Sequence, residues 1–123
     1  LNVKSQRMNL EQLQVNLRVF AQDRDWEQFH SVRNLVLALV GEVGELAELL
    51  QWIDDREIEE FLDAGGRVRL GEELADVLFY LVRIADVSGV ELSEAIKVKL
   101  EINQLKYPIE KSKGNAKKYS EFD

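Results

Sequence analysis

Leu39-Val40-Gly41-Glu42-Val43-Gly44-Glu45-Leu46-Ala47-Glu48 decides how this chain folds. Its apolar residues recur at helical spacing, and the same stripe runs back through Val32, Leu35 and Val36 and on to Leu50. The period predicts an amphipathic helix that starts after Ser31 and reaches about Ile53. Two glycines inside it each cost about 1 kcal/mol relative to Ala, so the expectation is close backbone packing at Gly41 and Gly44.

The flanking sequence repeats the pattern. Leu70, Leu74, Val77, Leu81 and Ile84 predict a second long helix over about Val68 to Val87. Before these two, Asn9 can cap a helix over about Asn9 to Gln22, with Leu10, Leu13, Leu17 and Phe20 inward. After them, Ser93 can cap a helix carrying Ala95, Val98, Ile102 and Leu105. It should end before Tyr107-Pro108, because proline disfavours helix in its predecessor. Gly65-Gly66 and Gly89 read as breaks between helices. Asp23 to His30 reads as a loop or short turn in which Trp26 and Phe29 are too large to leave in water. Glu57 to Asp63 can add a short helix. No segment alternates with period two, so no sheet is expected. The expected fold is all-α and four-helix-bundle-like, one domain over residues 1–123, with residues 1–8 and the Lys-rich 109–123 extended or flexible.

Charge narrows the function classes. The 123 residues are 46% hydrophobic and 32% charged with net charge −7, which argues against a general nucleic-acid surface. No run of apolar residues is long enough for a membrane span. Leu1 to Arg7 lacks the apolar core of a signal peptide; a start at Leu1 suggests trimming or a tag, with Met8 a candidate native start. With no Cys there is no disulfide or thiolate metal site, which is compatible with the expected cytoplasmic location. The charge is uneven: Glu42 to Asp63 holds nine acids and one base, Arg56, whereas Lys97 to Lys118 holds seven Lys against Glu101 and Glu110. These stretches are either two solvated faces or a place for metal ions and the phosphates that accompany them.

Helix geometry sorts the acids. With about 100° per residue and Leu39 at zero, Glu42 falls about 60° from the stripe centre and Glu45 about 60° further round, so both border the packed face. Glu48 points away and should be solvated. On the second long helix Glu73 and Asp76 occupy the matching edge, with Tyr80 between them; Glu72 is further out and Asp86 faces away. If the two edges meet, four carboxylates converge. They then carry protons or cations, since like charges out of water repel. All-oxygen ligands suit magnesium, manganese or calcium rather than zinc. The plain alternative is that each acid is simply solvated.

At this point the sequence resembles a known family. Glu42-x-x-Glu45, a spacer of 27 residues, then Glu73-x-x-Asp76, within Gly41 to Glu48 and Glu72 to Val77, is similar to the MazG-like, all-α nucleoside triphosphate pyrophosphohydrolases. Asp25-Trp26-Glu27-Gln28-Phe29-His30, Arg33-Asn34-Leu35, Gln51-Trp52, Ile102-Asn103, Lys106-Tyr107-Pro108 and Lys117-Lys118-Tyr119 resemble its dCTP pyrophosphatase branch, so the likeness runs from about residue 9 to 121. The resemblance implies magnesium-dependent hydrolysis of a deoxynucleoside triphosphate, dCTP or a modified dCTP, to the monophosphate and pyrophosphate, with manganese a possible substitute. It implies Glu42, Glu45, Glu73 and Asp76 as metal ligands, Glu42 or Glu45 orienting the water, and Trp26, His30, Trp52 and Tyr80 around the nucleoside. Relatives can carry a substrate-contacting His where Leu17 stands here, which leaves base preference open.

Other readings compete. A di-iron bundle needs two E-x-x-H pairs; this chain has one His, and Glu27 to His30 lies in a loop. Broader nucleotide pyrophosphohydrolysis remains open within the enzyme class. A non-enzymatic helical interaction module would gain no thermal stability from magnesium, whereas a metal enzyme should.

Two expectations complete the reading. Leu37, Leu49, Phe79 and Val82 lie outside the main stripes and should leave apolar surface for a homo-oligomer, which the resemblance makes a tetramer of two dimers. Lys99, Asn103 and Lys106 share a helix face, either solvated or holding the β- and γ-phosphates. Replacing Lys99 or Lys106 by Ala should then raise KM for the triphosphate with little loss of fold. Steady-state kinetics unchanged in both variants would remove that role.

Overall fold

The computed structural model describes residues 7–123. The described residues are all helical, without strand, in six α-helices: α1 (Leu10–Asp23), α2 (Val32–Leu50), α3 (Ile58–Phe61), α4 (Arg67–Ser88), α5 (Leu92–Lys106) and α6 (Ile109–Ser112). They fall into two compact units, one ending at Val90 and one over Glu91–Asp123. Among them no helix is long and apolar enough to cross a membrane. Of the N-terminal stretch expected to be extended or flexible, residues 1–6 lie outside the described residues, and Arg7 and Met8 carry no regular structure.

Local chemistry explains most boundaries. Asn9 caps α1 reciprocally with Gln12, and the Ser31 side chain accepts from the Asn34 N–H to open α2. Trp26 to His30 forms the expected short turn, a 3-10 helix over Glu27–Phe29. Phe29, however, stays 62% exposed rather than buried. The end of α2 comes at Leu50, three residues before the expected Ile53. The Ile53 N–H reaches back to the Leu50 carbonyl, and Asp54 then caps the turn Asp55–Glu57 that leads into α3. Gly65, at φ 98°, breaks the chain between α3 and α4, and a Cβ on Gly66 would come within 2.6 Å of the Phe61 ring. At the other end of α4, Gly89 is left-handed (φ 75°) and Val90 N–H returns to the Ala85 carbonyl.

Ser93 does not cap α5. Extended Glu91 holds the cap position without a side-chain bond, because α4 ends at Ser88 and only Gly89, Val90 and Glu91 link the helices. The tail is also more ordered than expected. Pro108 precedes α6, where its missing N–H costs nothing. The turn Tyr119–Glu121 then sets Tyr119 and Phe122 against Tyr107, with centroids 6.1 and 5.9 Å apart.

In the first unit α4 is the centre, packed by α2 and α1. Ala21, Leu35, Val82 and Ala85 are fully buried there. The apolar stripe of α2 is split between two environments. Leu35 is buried, and Leu39, Glu42, Leu46, Leu49 and Leu50 are half-buried, whereas Val32, Val36 and Val43 are 42%, 42% and 47% exposed. Glu42 therefore sits within the packed face, not at its border. Likewise Leu74 and Leu81, expected inward on α4, are 49% and 40% exposed. Val82, expected on the open side, is buried, and Phe79 is half-buried against Phe20, because α1 covers that side of α4. Gly41 and Gly44 meet nothing: a Cβ on either has no neighbour within 4 Å. The close packing expected of them does not occur among the described residues.

Candidate metal centre and substrate pocket

Helix α2 supplies Glu42 and Glu45, one turn apart, and α4 supplies Glu73 and Asp76 with the same spacing. Each offers a carboxylate oxygen, and the four oxygens lie within 4.8 Å of one another. Glu42 and Glu73 are half-buried, Glu45 and Asp76 exposed. Oε2 of Glu42 and Oε2 of Glu73 are both out of solvent and have no hydrogen-bond partner. Among the described residues no salt bridge involves any of the four.

The electrostatics follow from this geometry. Burial raises the Glu42 carboxyl above its ordinary value, and the charge and hydrogen bond of Glu45, then Asp76 and Glu73, push it the same way. Burial raises Glu73 too, followed by the charges of Glu45 and Asp76. Tyr80 is raised by burial and then by Glu42, Asp76 and Glu45, so it borders the cluster and keeps its phenolic proton. Two buried oxygens without donors among the described residues are complemented either by protons, as the raised carboxyls allow, or by a hard cation. The donor set fits a divalent ion that prefers oxygen.

A cavity of about 440 Å³ opens beside the acids, lined by Glu45, Glu48, Leu49, Gln51, Arg69 and Glu73. Glu48 is exposed, as expected, but it also lines this cavity. Arg69 was not singled out by sequence reasoning. It lies one turn before Glu73 on α4, and that spacing alone would have placed a cation beside the acidic edge.

Aromatic contacts connect Tyr80 with the turn before α2. Tyr80 meets Phe79 at 5.3 Å, Phe79 meets Phe20 at 5.9 Å, Phe20 meets Trp26 at 5.6 Å, and Trp26 meets His30 at 6.2 Å. Three residues assigned around the nucleoside, Trp26, His30 and Tyr80, thus belong to one aromatic row. Trp52 does not; it stands 87% exposed after the end of α2. Lys99, Asn103 and Lys106 lie on α5 in the second unit, where Lys99 is exposed, Asn103 half-buried, and Lys106 Nζ sits 4.7 Å above the Tyr119 ring.

The row ends in a polar cluster that sequence reasoning missed. Arg83 is buried, and its Nη1 donates to Asp86 Oδ2 at 2.8 Å. Arg18 and Gln14 of α1 donate to the same carboxylate. Asp86, expected to face away, is therefore turned into an ion-pair network, because the side of α4 opposite α2 meets α1. The run Val77 to Ala85 is apolar on every side, which signals a helix buried on more than one face; Arg83 inside such a run calls for a partner.

Comparison with known proteins agrees with this architecture. The model of the MazG-like family matches residues 38–122. The chain is 51% identical over 104 residues to dCTP pyrophosphatase 1 of Mus musculus and 50% identical over 104 residues to that of Homo sapiens. Each alignment covers 84% of this chain and 61% of the relative, so the chain spans about three fifths of the length of these relatives. Among solved structures, a pyrophosphatase from Archaeoglobus fulgidus is similar, with 36% identity and a TM-score of 0.76 over 87% of this chain and 99% of the other.

Proposed function

Since the chain belongs to the MazG-like family, we propose that it hydrolyses a nucleoside triphosphate, dCTP or a modified dCTP, to the monophosphate and pyrophosphate. Magnesium, or manganese in its place, is held by Glu42, Glu45, Glu73 and Asp76. The observation that carries this reading is the convergence of four carboxylates with two buried oxygens that lack any donor. The likeness to proteins named dCTP pyrophosphatase 1 supports the choice of substrate.

Bound at these carboxylates, a divalent cation lowers the pKa of its water and screens the phosphate charge. The protein's own groups do the rest. Glu42 or Glu45 orients the attacking water. Its oxygen bonds to the α-phosphorus, its proton passes to that carboxylate, the bond to the bridging oxygen breaks, and pyrophosphate leaves. Arg69, in the cavity beside Glu45 and Glu73, offers a cation to a phosphate oxygen. Trp26 and the exposed Trp52 present faces on which a base can stack, and Tyr80 keeps its O–H as a donor.

The test is a panel of nucleoside triphosphates assayed for pyrophosphate release with magnesium, together with thermal melting with and without the ion. The expected result is release from dCTP above the other canonical nucleotides, and a higher melting temperature with magnesium. No release from any triphosphate with either magnesium or manganese would overturn the reading.

The functional form is a homo-oligomer, a tetramer of two dimers. Exposed Leu37, Val40 and Val43 on α2 and Leu74 and Leu78 on α4 support it, since apolar surface of this extent favours burial against a second copy. Light scattering at micromolar concentration should give a multiple of the chain mass; the mass of one chain would exclude assembly.

A further inference from the structure

Arg83 carries more than an ion pair. Its Nε donates to Nδ1 of His30 at 3.2 Å, while Nη1 of the same guanidinium is engaged by Asp86. A guanidinium can only donate, so Nδ1 must be the bare, accepting nitrogen. A neutral imidazole carries one proton, which then resides on Nε2. We propose that Arg83 is a positioning residue that locks His30 in the Nε2–H tautomer, so that His30 offers the nucleotide a hydrogen-bond donor and never an acceptor.

The surroundings hold this arrangement in place. Arg83 is 1% exposed, and its planar fork is fixed by Asp86, which is itself held by Arg18 and Gln14. Rotation away from His30 would leave a buried N–H without a partner. His30 and Arg83 line a cavity of about 350 Å³ together with Arg18, Glu27, Asp86 and Val87. The charged groups facing the ring are thus Arg83, Arg18, Glu27 and Asp86. Burial lowers the His30 pKa, the Arg83 charge lowers it further, and Glu27 opposes them. The ring is therefore neutral at neutral pH. A neutral donor suits a neutral acceptor, such as a carbonyl or ring nitrogen of a base, better than a phosphate, which a charged imidazolium would hold more strongly. The tautomer stands on side-chain geometry alone; its use in substrate binding rests on the nucleotide reading above.

The chain has one His, so its imidazole signals need no assignment. Long-range proton–nitrogen NMR on the ¹⁵N-labelled full chain at pH 7.5 should show Nδ1 unprotonated and Nε2 protonated. A protonated Nδ1 would overturn the proposal whatever the enzyme does. In Arg83→Met the lock is gone, and the ring should become a tautomer mixture. Asp86→Asn, which disturbs the same ion pair but keeps the Arg83 donor, should retain the wild-type tautomer. With dCTP as substrate, Arg83→Met should raise KM about fivefold to tenfold with kcat within about twofold, the loss of one binding hydrogen bond. A wild-type tautomer in Arg83→Met, or equal tautomer change in both variants, would overturn the positioning role. Should Arg83→Met not fold, Arg83→Gln takes its place, and a protonated Nδ1 in the wild type or in Asp86→Asn still overturns the lock. Should no nucleotide be hydrolysed, the tautomer result stands and only the substrate role falls.

Discussion

Glu45→Gln and Asp76→Asn are each expected to fold and to lose at least about a hundredfold in pyrophosphate release, roughly 2.7 kcal/mol of transition-state stabilisation. The four acid oxygens lie within 4.8 Å of one another, so loss of one charge changes the ligand set seen by a cation as a whole. Stability should move the other way. Without metal the cluster repels itself, and burial holds Glu42 and Glu73 above their ordinary 4.5. A raised carboxyl disfavours the folded state while ionised. The metal-free protein should therefore gain stability as pH falls through the raised values toward 4.5, and gain nothing further below it. In Glu45→Gln, which removes a charge acting on both Glu42 and Glu73, that gain should shrink and the metal-free melting temperature should rise. Glu59→Gln, on α3, is the control and should keep its activity. If Glu42→Gln, Glu45→Gln, Glu73→Gln and Asp76→Asn all release pyrophosphate at the parental rate, the four acids are no metal site.

The convergence of the four carboxylates was legible in the sequence because it depends on local periodicity. Two pairs spaced i and i+3 on the two most apolar helices fix which carboxylates can meet. The burial of Glu42 was less legible. A stripe centred on Leu39 places Glu42 at its border. In the fold α2 turns Leu35, Leu46 and Leu49 inward and leaves Val36 and Val43 open, so Glu42 falls inside the packed face. Periodicity gives the width of an apolar stripe, not which part of it this chain covers. Gly41 and Gly44 show the same limit: a helical glycine signals close approach, yet no neighbour among the described residues approaches either. The Arg83–Asp86 network was missed for a different reason. The angular position of Asp86 on α4 is opposite the face that meets α2, and only the packing of α1 makes that side interior.

Asp86→Ala should destabilise the fold by about 3–5 kcal/mol, the usual cost of removing one partner from a buried pair. The Asp86 side chain is 7% exposed and that of Arg83 2%, so the remaining guanidinium would be charged, out of water, and bonded only to His30. Removal of both charges in an Arg83→Met, Asp86→Ala double variant should cost less than Asp86→Ala alone, because no unpaired charge is left behind. Two-state urea denaturation at one fixed protein concentration reads both values, and fixing the concentration keeps any assembly term constant. The pH dependence has a definite sign. The Arg18 hydrogen bond holds the Asp86 carboxyl below the ordinary carboxylate range, and the Gln14 bond and the charges of Arg18 and Arg83 add to it against the opposing effect of burial. A depressed carboxyl contributes stability that is fully present above its unfolded value of about 4 and is lost as pH falls through the lower folded value. Between pH 7 and pH 5 the gap between parent and Asp86→Ala should therefore stay constant, and it should narrow only below about pH 4. A gap under about 1 kcal/mol at pH 7 would mean that Arg83 finds another counter-charge or water, and that Asp86 does not anchor the interior side of α4 against α1.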